Sequence, residues 1–159
     1  MTRKEQYNQL ILQIAGLIKD ETNLVGILAN VSAALHDTFP ERFFWVGFYL
    51  QENGNMLRLG PFQGSVACYV IPFGKGVCGK AWEEGCTIIV PDVEKFPGHI
   101  PCSSLSRSEI VVPMYDDSHT FRGVLDIDST RLNDFNEDDK EGLERIIELL
   151  MAETQDLFQ

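Results

Sequence analysis

A chain of 159 residues, 44% apolar and 23% charged, is long enough to bury one core and too apolar to be disordered. Its 24 acidic against 13 basic residues give a formal charge of −11, which excludes a nucleic-acid binder built on excess Lys and Arg and disfavours an anionic membrane surface. No run approaches the ~18 consecutive apolar residues of a membrane span, and the N-terminus lacks a signal-peptide pattern, so the expectation is a cytoplasmic protein with reduced cysteines.

Apolar residues at Tyr7, Leu10, Ile11, Ile14, Leu17 and Ile18 predict an amphipathic helix over 3–19. Thr22 or Asn23 can cap a second, carried by Leu24, Ile27, Leu28, Val31 and Leu35. A buried strand follows at 43–50 (FFWVGFYL), and Asn53-Gly54 turns the chain back through MLRLGPF. VACYVIPF predicts a third strand, GKGVCGKAWEEG a glycine-rich turn into a short helix, and CTIIVPDV a fourth strand. Residues 93–107 form a long aperiodic loop, of the kind that is usually functional in a compact domain. EIVVPMY and FRGVLDID are two more strands, and a last helix starts near Asp134 or Asn136. The fold class is α+β: one domain over 1–159 with a central, mostly antiparallel six-stranded sheet flanked by N- and C-terminal helices.

Four cysteines in a reducing compartment point to chemistry or metal binding. Cys102 sits in the long loop, where a thiol can be reached and ionised by backbone N–H groups or Arg107; the alternative is a small buried apolar residue. Cys78 lies in the turn Gly76-Val77-Cys78-Gly79, whose small residues suit a resolving cysteine and equally a helix start packed under the turn. Cys68 is either core or a second resolver, and Cys86 is structural. No metal is expected, because no C-x-x-C spacing occurs and His36, His99 and His119 form no ligand set. Gly74 to Lys80 matches G-x-x-x-x-G-K, but Ala81 stands where a P-loop requires Ser or Thr.

Asp126 and Asp128, two apart in a strand, share one face. If the hairpin closes with Asp116 facing Phe121, Glu109 lies across from Asp128, and Val111, Pro113 and Val124 point the same way. Crowded carboxyls in a semi-apolar pocket cannot all ionise. Such a group can bind a substrate ammonium while a protonated member donates to a developing oxyanion. Trp45, Gly47 and Tyr49 share a face of the first strand. They offer either an aromatic wall with a glycine notch that favours a cation or plain core.

FFWVGFYL, GKGVCGKAW, HIPCSSLSRSEIVVP and GVLDIDS together resemble the free methionine-(R)-sulfoxide reductases, a family built on the GAF domain. The resemblance runs from about residue 40 to 130. It implies a GAF-like fold and reduction of free L-methionine (R)-sulfoxide with no bound cofactor. It places the catalytic cysteine at Cys102, the resolving one at Cys78 and an auxiliary one at Cys68. Glu109, Asp126 and Asp128 match the acidic pocket, and Trp45 and Tyr49 the aromatic wall. The implied cycle passes through a sulfenic acid on Cys102 and an intramolecular disulfide that thioredoxin reduces, with Asp126 or Glu109 as proton donor. Loop amides near Ile100 and Ser103 would take the substrate carboxylate. GAF domains often pair through terminal helices, so a homodimer is allowed. The rival expectation is a regulatory GAF module that binds a small molecule or senses redox state.

Overall fold

The computed structural model describes residues 1–99 and 104–158, so the expectations placed on Ile100, Cys102 and Ser103 lie outside the described residues. Helix α1 (Arg3–Ile18) starts from a capping box in which Thr2 and Glu5 satisfy each other's backbone N–H groups. It buries Tyr7, Leu10, Ile14 and Ile18, the stripe its periodicity requires. Helix α2 (Leu24–Thr38) follows Asn23, whose side chain makes no cap bond; the Glu21 carboxylate instead accepts from Thr22 and Asn23 N–H. Strands β1 (Trp45–Glu52) and β2 (Met56–Gln63) form the expected hairpin, with Gly54 at φ +80° in its turn.

Beyond the hairpin the chain departs from the expected strand lengths. β3 is only Val70–Pro72, so Cys68 stands in the irregular segment before it and not in a strand. Helix α3 (Gly76–Glu84) ends at Gly85, which takes the left-handed conformation of a C-cap. That turn delays β4 to Ile88–Val90, so Cys86 is exposed ahead of the strand and not at its start. The loop that follows includes a short 3-10 turn, Val93–Lys95, capped by Asp92. β5 (Ser108–Tyr115), β6 (Phe121–Ser129) and α4 (Glu137–Thr154) complete the expected order, with Asn136 and Asp139 forming the capping box of α4.

The sheet order is β3-β2-β1-β6-β5-β4, and every recorded pair is antiparallel. One face carries Val46, Phe48, Ile110, Val112, Leu125 and Ile127 under the layer of α1, α2 and α4. The other carries Trp45, Tyr49, Val111 and Val124 beneath α3 and the loops. This is the period-two alternation of strands buried on both sides. Phe44, which precedes the first residue of β1, packs with this second cluster.

A buried ion network locks the helical layer. Asp139, fully buried, accepts from Tyr7 Oη (2.7 Å), Arg3 (2.8 Å) and Arg42 (3.0 Å). It thereby ties α1, the approach to β1 and α4 at one point. The Arg42 guanidinium also lies over the rings of Phe39, Phe43 and Phe135. Gly142 on α4 lets the Tyr7 ring pass, since an added Cβ would come within 2.7 Å of Tyr7 Cδ2.

Candidate functional site

Side chains of β1, β6 and β5 stand in rows across the sheet on the face opposite the helical layer. Trp45, Asp128 and Glu109 form one row; Gly47, Asp126 and Val111 the next; Tyr49, Val124 and Pro113 the third. Glu109 therefore does face Asp128. The expected hairpin closure is off by one, because a bulge between Met114 and Tyr115 pairs Tyr115 with Phe121. The bulge lies beyond Met114, so the register at the acids is unaffected.

The three carboxyls line a cleft with Trp45, Tyr49, Cys78 and His99. Glu109 and Asp126 are each only 6% exposed, and a carboxylate there gives up most of its hydration. Burial pushes Glu109 well above the usual carboxylate range, and the neighbouring Asp126 and Asp128 push it further. Burial and the charge of Asp126 do the same to Asp128. Asp126 is raised by burial too, but hydrogen bonds from Glu109 and Cys78 offset part of that rise. Hydrogen bonds from Glu109 and Cys78 thus favour the charged form of Asp126, while burial and the neighbouring charges favour the protonated form of Glu109. Asp126 Oδ1 is buried without a hydrogen-bond partner among the described residues.

Cys78 is 3% exposed at the start of α3, a free thiol under the acids. Burial pushes its pKa well above the thiol range, followed by the charges of Asp126, Glu109 and Asp128, so it donates S–H to Asp126. The small residues around it serve packing: a Cβ on Gly79 would meet Pro72 O at 2.8 Å. Cys68 differs on every count. It is partly exposed and disulfide-bonded, in a loop held down by two aromatic side chains. Tyr49 Oη donates to Cys68 O (3.0 Å), and Trp45 Nε1 donates to Ser65 O (3.0 Å).

Trp45 and Tyr49 are therefore at once core, cleft wall and loop anchors. The glycine notch between them is not a ligand hollow. Phe62 of β2 fills it, opposite Gly47 in register, and stacks on Trp45 with ring centroids 5.1 Å apart. Arg107 is exposed, its backbone N–H bound to Ser129 O (2.8 Å), and its side chain does not line the cleft. Two lining residues, His99 and Ser106, were not singled out by their sequence context. The signal was position alone, since both belong to the loop that contains Cys102. Burial lowers the His99 pKa and the charge of Asp126 partly restores it, so the imidazole is neutral near pH 7.

Cys78, Glu109 and Asp126 offer one ligand atom each within 4.8 Å of one another, near enough for a metal ion to be shared. Binding one would require removing the protons that Cys78 and Glu109 hold most strongly. The donor set is better matched to a ligand that brings its own hydrogens. The open oxygen of Asp126 is suited to accept from an ammonium, and the protonated form of Glu109 that burial favours can donate, at the expense of its bonds to the neighbouring acids.

The antiparallel sheet carries helices on one face and a lined cleft on the other. The chain belongs to the GAF domain family, whose model matches residues 21–152. It is 55% identical over 149 residues, 94% of this chain and 92% of the relative, to GAF domain-containing protein A of Dictyostelium discoideum. It is 42% identical over 155 residues, 94% of this chain and 86% of the relative, to the free methionine-R-sulfoxide reductase of Saccharomyces cerevisiae. The solved free methionine-R-sulfoxide reductase of Neisseria meningitidis, in complex with its substrate, is 46% identical with a TM-score of 0.93, covering 98% of this chain and 92% of that one. Within the GAF family, the free methionine-R-sulfoxide reductases are the branch this chain falls in. Among the described residues, no helix is long and apolar enough to cross a membrane.

Proposed function

We propose that the protein reduces free L-methionine (R)-sulfoxide to L-methionine in the cytoplasm, with Cys102 as nucleophile. The observation that carries this reading is the buried cluster of Glu109, Asp126 and Asp128 at the base of the cleft, with one oxygen of Asp126 open and burial raising all three carboxyls. Asp126 receives the substrate ammonium. A peptide-bound residue brings no ammonium and would leave the buried acid unpaired, a loss of about 1–3 kcal/mol or more. His99 and Ser106, described residues of the loop to which Cys102 belongs in sequence, line the cleft, and Cys102 matches the catalytic cysteine that the family resemblance implies; together these support Cys102 as the nucleophile.

In the proposed reaction the Cys102 thiolate attacks sulfur while Glu109 protonates the sulfoxide oxygen. The S–O bond breaks, the oxygen passes to Cys102 as a sulfenic acid, and methionine leaves. A second thiol condenses with the sulfenic acid, forming a disulfide and releasing water. Thioredoxin then supplies two electrons and two protons to restore both thiols. We assign the second thiol to Cys68 in preference to Cys78. Cys68 is reachable and already disulfide-bonded, whereas Cys78 is buried, protonated and engaged with Asp126. No bound cofactor enters this scheme. A homodimer would use Leu12 and Leu17, exposed on α1.

The test is NADPH consumption with thioredoxin, thioredoxin reductase and free methionine sulfoxide. Wild type should turn over, and Cys102→Ser should not. Cys68→Ser should stop at a sulfenic acid trappable by a dione probe, while Cys78→Ala should still form the disulfide. A wild type that binds a small ligand without any turnover would favour the regulatory module instead.

A further inference from the structure

Around the disulfide, the chain changes character. Residues 59–74 (LGPFQGSVACYVIPFG) contain no Asp, Glu, Lys or Arg, in a protein with 23% charged residues and a formal charge of −11. Within that stretch Val66 is 87% exposed and Tyr69 78%, immediately flanking Cys68. Phe73, at 39%, is a further exposed apolar residue directly after β3.

These side chains are not outward because the loop is slack. Trp45 holds the carbonyl of Ser65, Tyr49 that of Cys68, and Leu59 N–H that of Tyr69 (2.9 Å). Gly64, at φ +141°, lets the loop lie on Trp45, where a Cβ would come within 2.5 Å of the indole. The backbone is anchored inward and presents a valine and a tyrosine to solvent beside a disulfide. Large exposed apolar side chains grouped in this way mark interaction surfaces, and tyrosine is among the residues that carry binding energy.

We propose that Val66, Tyr69 and Phe73 form the docking collar for a small protein dithiol of the thioredoxin type, which reduces the disulfide of Cys68. The proposal rests on the reductase reading above. The occupant follows from the chemistry. A thiolate must approach the sulfur closely to form the mixed disulfide, and this releases one thiolate of the protein. The partner's second thiol then attacks the mixed disulfide, releasing the other thiolate and leaving the partner oxidised. The body of the partner must therefore rest on the residues flanking Cys68. An uncharged collar admits it without the repulsion that the acidic remainder of the surface would impose on an acidic partner.

The experiment varies thioredoxin at saturating methionine sulfoxide for wild type, Tyr69→Ser, Tyr69→Glu and Val25→Ser on α2. It is repeated with dithiothreitol, which needs no collar. The expected result is a KM for thioredoxin raised at least fivefold in Tyr69→Ser and further in Tyr69→Glu, with Val25→Ser unchanged. Dithiothreitol-supported turnover and the KM for the sulfoxide should stay within twofold throughout. An unchanged KM for thioredoxin in both Tyr69 variants would overturn the collar, as would an equal loss with dithiothreitol. A wild type reduced by dithiothreitol but not by thioredoxin would overturn the collar alone, and no turnover with either would overturn the reductase reading as well.

Discussion

Glu109 carries two opposed duties, and both follow from where its carboxyl is buried. In the proposed reaction it must keep its hydrogen near neutral pH, and burial with the neighbouring Asp126 and Asp128 favours that protonated form. Activity that needs this proton is lost as pH rises through the raised value. Stability follows the same sign. Above the ordinary carboxylate range the unfolded chain has released the proton and the folded one has not, so stability falls as pH rises through that window. Glu109→Gln removes the titration and the cost of ionising a buried acid. Its expected outcome is a kcat/KM lower by about 10²–10⁴ together with a higher Tm, by about 2–4 °C if the gain is near 1 kcal/mol. Thermal melts from pH 5 to 9 should show a flatter curve than wild type; a parallel curve would contradict the assignment. Cys78 belongs to the same set as a fixed donor to Asp126. Cys78→Ala should raise the substrate KM more than it slows disulfide formation, measured in a single turnover.

Elements position these groups through close approaches that only particular residues permit. Gly142 lies on α4 directly against the Tyr7 ring. Glycine within a helix costs about 1 kcal/mol relative to alanine, so propensity alone would favour replacing it. Overpacking a filled core costs about 1–3 kcal/mol and here also pushes Tyr7 off Asp139. The expected outcome for Gly142→Ala is therefore a net loss of stability in urea denaturation, and a gain would show that the ring can yield. Gly47 presents the same situation in a sheet. A Cβ there would strike Phe62 and lie 3.0 Å from Pro61 O, beside the bulge where β1 and β2 shift register.

For the molecule as a whole, Asp139 is the point where α1, the chain entering β1 and α4 meet. Removing its charge would leave the Arg42 guanidinium, only 12% exposed in its side chain, without its main partner. Breaking such a buried pair costs about 3–5 kcal/mol, a large share of the ~5–15 kcal/mol that holds a domain together. Asp139→Ala should accordingly lower the Tm by roughly 6–20 °C by circular dichroism, with Arg42 keeping only Asp134 as its acidic partner. A change under 1 kcal/mol would mean that solvent replaces the carboxylate.

The one-dimensional pattern determined what repeats at short range: the helical stripes, the alternation of the long strands, and a last helix starting at one of two candidate caps, of which Asn136 serves. The pairing of Glu109 with Asp128, reached from an assumed closure of Asp116 on Phe121, holds because the bulge that shifts that closure is confined to the hairpin end. What depended on two distant segments meeting in space was not legible. Phe62 fills the notch at Gly47, Cys78 lies beneath the acids, and Cys68 hangs in a loop that Trp45 and Tyr49 hold by its carbonyls. His99 enters the cleft for the same reason. Burial, and with it the protonation of each acid and thiol, is a property of what packs around a group, and only the tertiary structure decides that.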